Sequence, residues 1–199
     1  MQVALSRIAI LGWASLIWDL ENLAPHTKGD WLMEAGPLLP MEFSRISPKR
    51  KLGLVVCLDP IVGVDCKTHV IQSVHIDIAL TIANLAARER APLDLIGAVH
   101  SDGLRRGRMP EVCDRVTNWC EANEWDGVVW TDLKPNFIEY TQKEFSVNAG
   151  LCYLRTLTDD SLTEAFNYIE NAPRQTQTPL RIALANDVWW QDLKENSQR

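Results

Sequence analysis

The apolar run Ile8-Ala9-Ile10-Leu11 meets Gly12, Trp13, Ala14 and Ser15 and then resumes as Leu16-Ile17-Trp18. A short continuous apolar run bounded by glycine predicts a buried strand over residues 7–12 and a turn after it. Residues 20–36, with Pro25, Gly29 and Gly36, read as an irregular connection. Strand patterns follow. Residues 38–46 and 52–58 form two apolar-rich runs joined by Ser47-Pro48-Lys49-Arg50, which predicts a hairpin, and residues 62–73 supply one further strand or two.

The period changes at Val74. Ile76, Ala79, Leu80, Ala83 and Ala87 recur at steps of three and four, which predicts a helix over residues 74–90 ended by Ala91-Pro92. A short strand over residues 95–99 and a glycine- and arginine-rich loop lead to Pro110, suited to the first turn of a second helix. Val112, Cys113, Val116, Trp119 and Cys120 form the inward stripe of that helix. A buried strand over 127–131 precedes a helix over 142–157 and another from Asp160 or Ser161, where Ser161 and Glu164 have capping-box spacing. Residues 180–184 read as a strand at a sheet edge, and Trp189 and Trp190 as an apolar anchor. This order does not alternate as a doubly wound sheet does. It predicts a mixed α+β fold, and without a repeat or long linker the expectation is a single domain over 1–199.

Composition narrows the chemistry. With 20 basic against 26 acidic residues in 199, the net charge of -6 argues against a phosphate-backbone surface, so no nucleic-acid partner is expected. Arg105, Arg106 and Arg108 read as a solvated loop. The five cysteines are scattered without a Cys-x-x-Cys pair, which fits reduced thiols in a cytoplasm. The first seven residues have no signal-peptide pattern, and no apolar span reaches bilayer length, so a cytoplasmic protein with no membrane partner is expected. Dinucleotide, Walker, zincin and nucleophile-elbow motifs are absent. Cys66 and His69 lie three apart in a strand-like stretch and point to opposite faces, so no metal is expected.

One carboxylate stands out. On a helix of about 100° per residue, Asp77, Thr81, Asn84 and Arg88 share the polar side, whereas Glu89 falls in line with Ile78, Ile82 and Leu85. A carboxyl on an apolar stripe suits general acid/base work, because burial favours proton exchange near neutral pH. The plainer reading is a frayed helix end whose carboxylate meets Arg45, Arg90 or Arg108. For Gly12 to Leu16, a tight strand exit competes with a ligand-binding turn.

Gly12-Trp13-Ala14-Ser15-Leu16-Ile17-Trp18 after a strand resembles the glycine-tyrosine-glycine-serine-leucine-isoleucine-tryptophan signature of the gamma-glutamylcyclotransferase-like superfamily. Leu85-Ala86-Ala87-Arg88-Glu89-Arg90-Ala91 resembles its second element, a helix end with an arginine-glutamate pair. Gly36-Pro37-Leu38-Leu39-Pro40 and Glu42-Phe43-Ser44-Arg45 are similar to an early strand of bacterial members. Trp13 stands where the family has tyrosine, and Ala14 where it has its second glycine.

The resemblance implies a small mixed β-barrel flanked by helices. It also implies cyclisation of a gamma-glutamyl amine or peptide, glutathione among them, to 5-oxoproline with release of the amine, a transferase or lyase chemistry that needs no cofactor. The substrate's own amine attacks its γ-carbonyl, so the enzyme holds a folded conformer and moves protons. Glu89 would be the catalytic acid/base, with Gly12, Trp13, Ala14, Ser15 and Leu16 as the substrate-binding loop and Arg45 beside it. Ser44, Ser73, Asn136 and Tyr140 are further candidate wall residues. The competing expectation is a non-catalytic small-molecule binding or protein-interaction module on the same fold. Neither the leaving group nor the oligomeric state is legible.

Overall fold

The computed structural model describes residues 6–197, so the start of the chain read for a signal peptide lies partly outside the described residues. In chain order the elements begin with β1 (Ile8–Gly12), the one-turn α1 (Ser15–Trp18), a 3-10 helix (Glu21–His26) and β2 (Thr27–Leu32). Next come β3 (Leu38–Ser47), β4 (Gly53–Leu58), β5 (Val64–Lys67), β6 (His69–Ser73) and α2 (Ile78–Glu89). Then follow β7 (Ile96–His100), β8 (Arg105–Arg106), α3 (Pro110–Ala122) and β9 (Gly127–Thr131). The remainder is helical: α4 (Phe137–Thr141), α5 (Val147–Leu154), α6 (Asp159–Asn171), α7 (Pro179–Ala185) and α8 (Val188–Ser197). The α+β class holds.

These elements fall into two compact units, each drawn from two stretches of sequence: Met1–Leu39 with Lys67–Leu133, and Pro40–Cys66 with Lys134–Arg199. The first unit carries a six-stranded sheet in the order β2-β6-β1-β9-β7-β8. Every residue of β1 is buried, because the strand lies inside the sheet, antiparallel to β6 and parallel to β9. A central strand buried on both faces reads as an unbroken apolar run. Helix α2 packs Ile82, Leu85 and Ala86 into one cluster with Ile10, Leu16, Leu23, Ile71, Ile96, Ala98 and Val129. Asp77 starts α2 by accepting from the Ala79 amide at 2.8 Å, and Arg90 ends it in the left-handed region at φ 54.

The second unit carries a three-stranded sheet in the order β4-β3-β5, with β3 and β4 forming the expected hairpin and Lys51 left-handed at its turn. Helix α6 packs on this sheet, with Tyr168 edge-on to Phe43 at 6.3 Å between centroids. Trp190 is fully buried and its Nε1 donates to Glu170 Oε1 at 2.8 Å, which fixes α8.

Several expectations are corrected. The implied barrel does not appear as a closed sheet among the described residues: both sheets are open, with β2 and β8 at the edges of one and β4 and β5 at the edges of the other. Residues 20–36 contain a 3-10 helix and the edge strand β2, a polar strand with no apolar alternation to announce it. Residues 180–184 are helical, because Thr178 caps the Arg181 amide and Pro179 occupies the first turn. Ser161 lies inside α6, whose N-cap position is Thr158. The helix over 142–157 shortens to α5, and α4 precedes it. Thr81 and Arg88, assigned to the solvent side of α2, are buried. The arginine loop is tied down: Arg105 meets Asp114 at 2.7 Å, Arg106 Nε donates to Ile96 O at 3.0 Å, and the Arg108 amide donates to Asp132 Oδ2 at 2.5 Å.

Candidate functional site

The resemblance points to the exit of β1, and the structure gives this turn an unusual backbone. Ala14 adopts φ 61 and ψ -133, a region that L-residues other than glycine rarely enter. The conformation is held because the Ile17 amide donates to Ala14 O at 2.9 Å and the Asp19 amide to Ser15 O at 3.0 Å, closing α1. Trp13, Ala14 and Leu16 are buried, and Leu16 is anchored in the cluster beneath α2. Among the described residues, the amides of Trp13, Ala14, Ser15 and Leu16 donate to no protein acceptor.

Gly12 has a different reason to be glycine from the one its turn position suggests. It is not a positive-φ residue; instead a Cβ there would lie 2.3 Å from Cη2 of Trp31. The close approach is made by an indole that packs on the same core cluster. Trp31 Nε1 is itself buried without a hydrogen-bond partner among the described residues.

Glu89 is the last residue of α2 and keeps 16% of its side chain exposed. Its neighbour Arg88 turns inward. The buried Arg88 guanidinium donates from Nη2 to Asp19 O at 2.7 Å, while Nη1 lies 3.5 Å from Glu21 Oε1 and 3.9 Å from Glu89 Oε1. One cation thus links the residue after α1, the start of the 3-10 helix and Glu89. Electrostatically this is a buried positive centre between two less buried carboxylates, and the pairing arginine is Arg88 rather than Arg45, Arg90 or Arg108.

The structure therefore gathers Gly12, Trp13, Ala14, Ser15, Leu16 and Glu89 in the first unit. Arg45 belongs to the second unit, where its Nη1 donates to Lys134 O at 2.6 Å. The other wall candidates have structural partners of their own. Ser44 Oγ donates to Asp59 Oδ2 at 2.6 Å, Ser73 Oγ meets Thr81 Oγ1 at 2.9 Å, and Asn136 bridges Ile46 N and O at 2.7 and 3.0 Å. Tyr140 is exposed.

Two polar features had no sequence signal. Glu42 is buried in the second unit, with Oε1 accepting from the Phe43 amide at 2.7 Å and Oε2 from the Leu180 amide at 3.2 Å. Burial raises its pKa against the lowering effect of those donors and Thr178. A cleft of about 380 Å³ in the first unit is lined by His100, Leu104, Arg105, Glu121 and Trp125, and by none of the loop residues or Glu89. Among the described residues no group of three or more His, Cys, Asp and Glu side chains is placed to hold a metal ion, and no helix is long and apolar enough to cross a membrane. Comparison with known proteins finds no matching family model, no matching curated protein and no matching solved structure.

Proposed function

We propose that this chain is a gamma-glutamylcyclotransferase-like enzyme that converts a gamma-glutamyl amine or peptide to 5-oxoproline and the free amine. The observation that carries the reading is Ala14, which holds a glycine backbone conformation at the position where the family signature has glycine. A turn kept in that form against the preference of its own residue points to a requirement for the loop's shape.

In this reading the free amides of residues 13–16 bind substrate oxygen, and the oxyanion that develops at the γ-carbon is stabilised by the same donors. Glu89 accepts a proton from the α-ammonium, freeing the amine to attack the γ-carbonyl. It then returns the proton to the departing nitrogen as the C–N bond breaks, and it takes up the second proton that the attacking nitrogen sheds in becoming the lactam N–H, passing it to the released amine. Arg88 positions Glu89 through its hold on Asp19 and Glu21. The chemistry is carried by this chain's own groups and requires no cofactor.

The test is release of 5-oxoproline from a panel of gamma-glutamyl amines and peptides, glutathione included, by wild type and by Glu89→Gln. Loss of a proton-transfer group lowers the rate by about 100- to 10,000-fold. Equal turnover by the two proteins removes Glu89 from the mechanism. A second reading, binding without turnover, is favoured by Trp13 and Ala14, which stand where the signature has tyrosine and glycine. Thermal stabilisation by the same compounds with no 5-oxoproline from any of them supports that second reading.

A further inference from the structure

The strongest feature outside the proposed site is a pair of histidines. His26 ends the 3-10 helix and His75 lies in the connection from β6 to α2, 49 residues later. His26 Nδ1 and His75 Nε2 face each other at 3.1 Å, with ring centroids 5.3 Å apart and planes inclined by 32°. Both rings are half-buried, so an ion can reach them from solvent.

We propose that His26 and His75 form a binding site for a divalent transition-metal ion of the zinc type, coordinated through His26 Nδ1 and His75 Nε2. Imidazole nitrogen is a preferred donor for zinc, copper and nickel. Two zinc–nitrogen bonds of about 2.0–2.1 Å at a tetrahedral angle hold their nitrogens about 3.3 Å apart, so the pair has to open by only a few tenths of an ångström.

The backbone around the pair is fixed before any ion arrives. The Val74 amide donates to His26 O at 3.0 Å, which ties the two chain segments together at His26 itself and one residue before His75. The His75 amide donates to Ser73 Oγ at 3.1 Å, and Ser73 Oγ meets Thr81 Oγ1 on α2. Thr27 Oγ1 donates to Ala24 O at 2.9 Å and holds the end of the 3-10 helix. Such prior fixing lowers the entropic cost of bringing two ligands to one ion.

In the metal-free pair one nitrogen donates and the other accepts. On coordination the donating ring carries its proton on its other nitrogen instead, so two neutral imidazoles present two lone pairs and no proton has to leave them. Among the described residues no third His, Cys, Asp or Glu is grouped with the pair, so water fills the remaining positions. The site is open, and weaker than one with four protein ligands.

Zinc chloride titrated calorimetrically into the full chain, in a buffer that does not chelate, is expected to fill one saturable site. Long-range proton–nitrogen spectra of the wild type should show His26 Nδ1 and His75 Nε2 moving together at substoichiometric zinc. His26→Asn and His75→Asn should each weaken the site at least tenfold, whereas His100→Asn and Cys152→Ser leave it intact. Circular dichroism without metal verifies that the variants fold. Absence of saturable binding, binding unchanged in both histidine variants, or zinc shifts confined to His69 or His100 overturns the proposal. The site is independent of the cyclotransferase reading.

Discussion

Arg88 Nη2 donates to the main-chain carbonyl of Asp19 at 2.7 Å, so the buried end of α2 is bonded to the residue that closes α1. The same guanidinium faces Glu21 and Glu89, and its side chain is 1% exposed. Removing one member of a fully buried ion pair costs about 3–5 kcal/mol, and Glu21's partial exposure reduces that by solvent screening. Arg88→Met is therefore expected to lose about 2 kcal/mol in chemical denaturation. Arg88→Lys recovers little, because one ammonium cannot replace a planar fork that meets a carbonyl and two carboxylates. A lysine variant as stable as wild type would show that the fork is not required.

Ala14→Gly is expected to stabilise the protein. The φ 61, ψ -133 conformation costs an alanine about 1–3 kcal/mol, and glycine occupies it freely. Against this stand the loss of one buried methyl, about 0.8 kcal/mol, and the larger unfolded-state entropy of glycine, about 0.5–1 kcal/mol. The balance centres on a gain of about 0.5 kcal/mol, read as a shifted denaturant midpoint at unchanged slope. Ala14→Val, which adds bulk at the same φ, should move the midpoint the other way.

The sequence made the apolar skeleton readable and left its polar exceptions hidden. β1, the β3–β4 hairpin, α3 and β9 have unbroken or periodic apolar runs, and each lies within a few residues of its expected span. β2 has no local signal because an edge strand needs no apolar alternation, and its pairing with β6 also shifts register between Lys28 and Leu32. Residues 180–184 followed the ambiguity of a short apolar run, although Thr178 and Pro179 carry the start of a helix. Helical phase puts Arg88 on the solvent side because phase gives direction and not reach. Its long stem lets the charge meet partners that only the fold brings near. Of the candidate site, Gly12 to Leu16 and Glu89 could be named from local motifs, whereas Trp31 over Gly12 is a tertiary contact with no local signature.

Thiol reactivity should follow burial. Cys152 is exposed, while Cys57, Cys66, Cys113 and Cys120 are buried. Burial pushes the Cys66 and Cys120 thiols up to about 11 and raises Cys113 as well. The thiolate is the nucleophile, so these groups are protected both by protonation and by access. A disulfide reagent at neutral pH is expected to titrate one thiol quickly in the native protein and five in denaturant. Cys152→Ser should abolish the fast phase; a rapid second thiol in that variant would contradict the burial of the other four.

Glu42 gives stability a pH dependence opposite to that of a surface carboxylate. Burial raises its pKa in the folded state above the ordinary value of 4.5, with the nearby Asp59 carboxylate acting in the same direction. The folded protein therefore holds this proton more tightly than the unfolded chain. Stability from this group is fully present below pH 4.5 and is lost as pH rises through the raised folded value. Above that value the buried carboxylate is a cost, offset in part by the Phe43 and Leu180 amides. Glu42→Gln retains an acceptor and removes the titration, but its amide group opposes one of the two N–H donors. Denaturation of both proteins from pH 7 down to about pH 5 should show the wild type gaining relative to the variant as pH falls. A stability difference that stays constant across this range, or that shrinks toward acid, would mean that Glu42 does not titrate above its ordinary value.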